Sequence, residues 1–174
     1  MMNIEELKAA AIAGDSEAQF TLGDWYSLGQ NVPQDYTESL KWFSKAAAQG
    51  HPTALYNLGI QYAKGLGVPQ NYEKAVEYLF EADKHGDPDA VSKLSWLFAM
   101  GKGFKETPEE SFKWHLFLAK KGDVNAQNSV ALLYVSGRGT PKNDAEAEFW
   151  FRKAAAAGCE DAMGNLRLMG IRSE

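Results

Sequence analysis

Five glycines, Gly14, Gly50, Gly86, Gly122 and Gly158, recur at a constant interval of 36 residues, and Ala18, Ala54, Ala90, Ala126 and Ala162 keep the same interval. A fixed period of this size restricts the chain to a stacked array. Each unit is too small to bury its own apolar face, and stacking on a neighbour supplies the missing core. Within one period the apolar residues follow helical spacing twice, and a turn rich in Gly, Pro, Asn and Asp separates the two runs. The predicted unit is a helix-turn-helix pair, and the predicted fold class is an all-α solenoid.

The pattern divides the chain into a capping half-repeat over 1–14, four full repeats over 15–50, 51–86, 87–122 and 123–158, and a closing half-repeat over 159–174. All of them form a single repeat domain. The opening half-repeat is a short helix with Ile4, Leu7 and Ala11 on one face, and it carries Glu6 where later copies have Trp42, Tyr78, Trp114 and Trp150. In the first full repeat Asp15 is a good N-cap, Gly29 stops the first helix, and the second helix runs from Tyr36 or Thr37 to Gln49. The third repeat diverges most. Ser95 replaces the glycine of Gly23 and Gly59, Phe98 replaces the tyrosine of Tyr26 and Tyr62, and residues 102–108 replace the Gly-Val-Pro turn. Small residues at Ala18, Gly23 and Ala46 allow helices to approach closely, and the Leu22, Tyr26, Leu40, Trp42 and Phe43 series fills the space beside them. The aromatic series is therefore expected to be core.

The recurrent string Ala-Gln-Phe-x-Leu-Gly-x-x-Tyr-x-x-Gly-x-x-Val-Pro-Gln-Asp-Tyr, continued by Ser or Ala, Trp, Lys-Ala-Ala and Gly, closely resembles the Sel-1-like repeat family, a relative of the tetratricopeptide repeats. The resemblance spans essentially all 174 residues. It implies a right-handed α/α superhelix whose first helices line a concave side, used as an adaptor or scaffold for protein and peptide ligands. One secreted branch of the family has a disulfide in each repeat and a link to penicillin binding. This chain departs from that branch, having only Cys159.

On that geometry two positions of each first helix face the groove, giving Phe20, Tyr56, Ser92 and Asn128 in one series and Asp24, Ile60, Trp96 and Leu132 in the other. Asn57, Lys64, Lys93 and Asn128 would add polar contacts to a peptide backbone or carboxylate. An apolar run facing water marks a binding surface; the alternative is that these side chains lean onto adjacent helices. The second helices offer a rival interface at Phe80, Leu116 and Phe117, where the outer repeats carry Ser44, Lys45, Arg152 and Lys153.

Catalytic signatures are missing. The Gly-x-Gly elements Gly65-Leu66-Gly67, Gly101-Lys102-Gly103 and Gly137-Arg138-Gly139 follow no strand and precede no Gly-Lys-Ser/Thr, so they read as helix stop and turn and not as phosphate loops. His51, His85 and His115 fall at unrelated repeat positions without metal-ligand spacing, and His115 takes the packed slot of Phe43, Leu79 and Phe151. Cys159 stands at a helix start with no base identified beside it. The expectation is a non-enzyme with no cofactor and no metal. Two alternatives are a regulatory or effector-immunity protein that neutralises a partner enzyme and, more remotely, a penicillin-binding or β-lactamase-like hydrolase.

A formal charge of −5 and a pI near 5.3 argue against nucleic acid as a partner. The acidic first residues and the lack of a long apolar run predict neither a signal peptide nor membrane insertion. The expected location is the cytoplasm, or the periplasm or exterior if a leader has been removed. The expected assembly is a monomer or weak homodimer bound to a protein or peptide ligand.

Overall fold

The computed structural model describes residues 4–104 and 107–170. Parts of the capping half-repeat (1–3), of the third-repeat turn (105–106) and of the closing half-repeat (171–174) lie outside the described residues. Among those described there are ten helices and no strand: α1 (Ile4–Ala13), α2 (Ser16–Leu28), α3 (Tyr36–Ala47), α4 (Pro52–Lys64), α5 (Tyr72–Lys84), α6 (Ala90–Ala99), α7 (Pro108–Lys120), α8 (Val124–Ser136), α9 (Asp144–Ala156) and α10 (Glu160–Leu168). They fall into two compact units, Met1–Gly103 and Phe104–Glu174, so the division comes inside the divergent third repeat. In the first unit each helix from α1 to α6 packs on the next, and in the second α7 to α10 do the same.

Local chemistry explains the helix limits. Asp15, His51 and Asp123 hold equivalent positions, and each side chain accepts the backbone N–H three residues on, at 2.8, 3.2 and 2.8 Å. This satisfies one of the four donors that a helix start leaves without partners. His51 does so through Nδ1, with its ring stacked on Phe20 at 4.5 Å. Each second helix receives the same kind of cap, from Asp35, Asn71, Thr107 and Asn143.

The third repeat departs from this scheme at its first helix. The buried Asp87 carboxylate accepts the Asp89 N–H at 3.1 Å instead of a donor three residues on. α6 accordingly begins at Ala90 and has 10 residues, against 13 for α4. Its last turn also tightens, with the Gly101 N–H bonded to the Phe98 carbonyl, whereas Gly65 N–H reaches four residues back to Gln61.

The core is a ladder of equivalent positions. Leu22, Leu58, Leu94, Val130 and Leu166 are all at most 1% exposed, and the alanine series beside them is buried throughout. Phe43 and Leu79 sit on Gly23 and Gly59: a Cβ at either glycine would come within 2.7 Å of the opposing side chain. The helix glycine thus sets how closely the two helices of a pair approach. The aromatic expectation is only partly met. Trp42, Tyr78 and Trp114 are half-buried, as are Tyr26, Tyr62 and Tyr134, and only Trp150 of the tryptophan series is buried. Lysines cover several of the outer faces, Lys45 lying 4.0 Å from the centre of the Trp42 ring and Lys74 5.3 Å from that of Tyr62.

The Gly-x-Gly elements do more than stop a helix. A Cβ on Gly67, Gly103 or Gly139 would lie 2.4, 2.5 or 2.0 Å from the carbonyl oxygen of Tyr36, Tyr72 or Pro108 respectively. Those carbonyls open α3, α5 and α7, so the second glycine is where each repeat's turn lands on the second helix of the repeat before. All three glycines have a φ between 69 and 80°, a region that costs other residues about 1–2 kcal/mol. The first repeat has Asn31 at this position, also left-handed at φ 59° but exposed, so its Cβ meets no such obstacle.

Candidate functional site

In the first unit α4 and α6 carry most of the groove candidates. Trp96 remains 49% exposed although it sits between the buried Leu94 and Leu97 of the same helix. One turn earlier, Lys93 places its Nζ 3.9 Å from the Trp96 ring centre. Burial pushes the Lys93 ammonium below the usual lysine range, and the charge of Lys64 pushes it further the same way. Tyr56 packs on the cluster of Leu55, Ala82 and Ala90, and burial raises its phenol, with the charges of Asp89 and Asp87 adding to the effect. Asn57 and Ile60 are half-buried on α4, and Lys64 is exposed at its end.

Two candidates on α2 behave differently. Phe20 stacks on His51 and lies 5.9 Å from Phe43, packed against the cluster of Phe43, Ala46, Ala54 and Leu58, so its ring leans onto the neighbouring helices. Asp24 is half-buried, and that burial raises its carboxyl above the ordinary carboxylate range.

In the second unit Asn128 and Leu132 line an open groove of about 670 Å³ together with Asn165 and Leu168. Asn128 accepts a hydrogen bond from the Asn165 side-chain amide at 3.2 Å, and Leu132 and Leu168 are 45% and 87% exposed. The structure therefore divides the groove candidates between the units: Phe20, Asp24, Tyr56, Asn57, Ile60, Lys64, Lys93 and Trp96 in the first, Asn128 and Leu132 in the second.

The second-helix candidates Phe80, Leu116 and Phe117 are half-buried. Phe80 lines a cavity of about 540 Å³ with Leu55, Lys74 and Tyr78. Phe117 meets the Trp114 ring edge-on at 6.1 Å and has Lys121 5.7 Å from its centre. His115, also half-buried, has its Nδ1 2.8 Å from the Ser111 carbonyl oxygen on its own helix. Cys159 is a half-buried thiol at the start of α10. Among the described residues no three His, Cys, Asp or Glu side chains are grouped to hold a metal, and no helix is long and apolar enough to cross a membrane.

The profile of the Sel1 repeat matches four consecutive segments, 16–51, 52–87, 88–123 and 124–159. The chain belongs to the Sel1 repeat family. Its matched segments run one residue later than the frame read from the glycines. A solved protective antigen of uropathogenic Escherichia coli, c5321, which displays the same repeat fold, is 34% identical over 98% of this chain with a TM-score of 0.63. A Sel1 repeat protein from Oxalobacter formigenes is 30% identical over 98% of the chain, also with a TM-score of 0.63. This chain spans 37% of the length of the former and 72% of the latter. A search of curated proteins gave no match.

Sel1 repeats are generally protein-interaction modules, and solenoids of this kind are generally non-catalytic. Within the Sel1 frame, Tyr56, Asn57, Ile60 and Lys64 belong to the second matched repeat and Lys93 and Trp96 to the third. The surroundings of these residues were harder to read than the residues themselves. Asp87 and Asp89 act on Tyr56 from the start of the third repeat, and Asn165 reaches Asn128 from the repeat after it. The contact between Lys93 and Trp96 had a signal in the sequence, the three-residue spacing that stacks side chains on one helix face.

Proposed function

We propose that this chain is a non-catalytic binding module whose protein or peptide ligand docks on the first helices of the first unit, along α4 and α6. The observation that carries the reading is Trp96: an indole half in water on a helix whose Leu94 and Leu97 are buried. Large aromatics left at a surface beside polar groups are the side chains that most often dominate binding energy. Tyr56 and Ile60 extend the apolar surface, and Asn57, Lys64 and Lys93 frame it with polar groups. Leu132 and Leu168 stand exposed in the second unit's groove among Asn128, Asn165 and the charged residues of α10, a further place for the same ligand. The cytoplasm is the proposed location, supported by the single unpaired cysteine.

Cross-linking of lysines to captured proteins, followed by mass spectrometry, tests this reading. Links from Lys64 and Lys93 are expected, with loss of the captured proteins from a folded Tyr56→Ala/Trp96→Ala variant. Equal capture by that variant, or links confined to α9 and α10, contradicts it.

A further inference from the structure

At one outer position of the second helices the four full repeats carry Lys41, Glu77, Lys113 and Phe149, each 36 residues from the next. In the first and third repeats the lysine bridges to the glutamate three residues before it, Glu38 or Glu110, so the helix surface satisfies its own charges. The second and fourth repeats break that pair in different ways. Lys74, three residues before Glu77, places its Nζ 5.3 Å from the centre of the Tyr62 ring, and among the described residues no cation bridges to Glu77. Phe149 takes the place of the charge altogether and stands 55% exposed.

The surroundings of these two residues are complementary. Glu77 lines the cavity of about 540 Å³, whose apolar lining comes from Leu55, Tyr78 and Phe80 and whose other charged residues are Lys74 and Glu81. Glu81 is held by Lys84 and Lys74 is turned to Tyr62, which leaves Glu77 as the carboxylate of this cavity open to another molecule. On α9, Phe149 meets the Trp150 ring edge-on at 5.1 Å, and Lys153 lies 6.0 and 5.2 Å from the centres of these two rings. Arg152 is bridged to Glu148, whereas Lys153 has no carboxylate partner among the described residues. Phe149 and Lys153 stand four residues apart on one helix face, as Glu77 and Glu81 do. One chain thus carries both an apolar cavity with a free acid and an exposed ring with a free cation.

We propose that a second copy of this chain joins the two surfaces: Phe149 of one copy enters the α5 cavity of another, and Lys153 comes to Glu77. Taking the exposed ring out of water drives the contact, and the opposite charges fix its orientation. The net charge of −5 on each copy opposes association, so the contact is weak and depends on this local complementarity. Two different patches meet, which makes the interface heterologous, and each copy can engage one neighbour through its cavity and another through its ring. The contact uses second helices and is independent of the ligand reading of the α4 and α6 face.

Sedimentation velocity of the full chain at up to about 0.5 mM, where weak contacts are populated, tests the proposal. The weight-average mass of the wild type should rise with concentration above that of one copy. Phe149→Ser and Glu77→Lys should each weaken association at least about tenfold. Both residues are exposed, and circular dichroism of the variants is expected to be unchanged. Mixed one to one, the two variants should form a dimer that grows no further, because one keeps a working cavity and the other a working ring. Trp96→Ala should associate as the wild type does. A wild type that stays monomeric, association that survives either substitution, or a mixture no more associated than its components overturns the proposal. Association lost with Trp96→Ala also overturns it, by moving the contact to the first helices, and leaves the ligand reading of that face to be judged by the captured proteins.

Discussion

The second and third repeats share a period, a buried leucine and a landing glycine, yet they differ in almost everything around these. In the second, His51 caps a helix of 13 residues that ends in a left-handed glycine, and Gly59 lets Leu79 close on it. In the third, Asp87 bonds two residues on, α6 has 10 residues, serine replaces the helix glycine, and Trp96 and Met100 stand half in water. The retained features are those on which neighbouring helices depend: Leu94 is as buried as Leu58, and Gly103 meets the Tyr72 carbonyl as Gly67 meets that of Tyr36. A repeat can lose the side-chain cap of its first helix and its helix glycine and remain in the stack, provided these two contacts survive. The freed positions are available for recognition.

The comparison is sharpened most strongly at the landing glycine. Gly67→Ala and Gly103→Ala should each cost about 2–5 kcal/mol in urea unfolding, from the left-handed backbone and the clash with a carbonyl oxygen together. Near-equal losses would show that the third repeat keeps this device at full strength. Asn31→Ala, which meets no such carbonyl, should cost less than half as much.

The helix glycine comes next. Gly59→Ser places a side chain against Leu79 and the Ala75 carbonyl and should cost about 1–3 kcal/mol. Ser95→Gly should change stability by no more than about 1 kcal/mol, since the third repeat has already adapted to the larger residue. A penalty for Ser95→Gly equal to that for Gly59→Ser would break the comparison at this position.

The caps have the smallest effect. His51→Ala should cost about 0.5–2 kcal/mol by removing the acceptor for the Ala54 N–H. In the wild type the first amides of α6 should exchange with deuterium faster than those of α4, because α6 has no side-chain cap. Matching protection in the two helices would mean that the Asp87 turn replaces the cap without loss.

Much of this was legible in the sequence. The interval gave the helix pairs, and Asp15, Gly29 and the leucine series gave their limits and core, because each of these roles depends on local backbone geometry or on simple apolar periodicity. The second glycine of Gly-x-Gly was read as a turn residue only. Its contact is with a carbonyl about 30 residues earlier, which no local pattern displays. The tryptophan and tyrosine series was assigned to the core on hydrophobicity, but lysines such as Lys45 and Lys74 cover one face of these rings and leave them half-buried. The late start of α6 escaped notice because His51-Pro52-Thr53 and Asp87-Pro88-Asp89 look alike as cap sequences, and only the reach of the Asp87 carboxylate separates them. Trp96 and Lys93 were legible as an exception to the repeat, whereas the burial of Phe20 against His51 depends on a packing choice that the repeat does not specify.

The central claim is that shared positions build the stack while differing positions carry recognition, and two residues two positions apart on α6 test it most directly. Leu94→Ala and Trp96→Ala are to be compared for urea unfolding and for the amount of partner protein that each captures. Leu94→Ala should lose about 2–5 kcal/mol of stability, and Trp96→Ala should lose at most about 1–2 kcal/mol while reducing capture at least about tenfold. Equal destabilisation by the two substitutions, or unchanged capture by Trp96→Ala, would contradict the account.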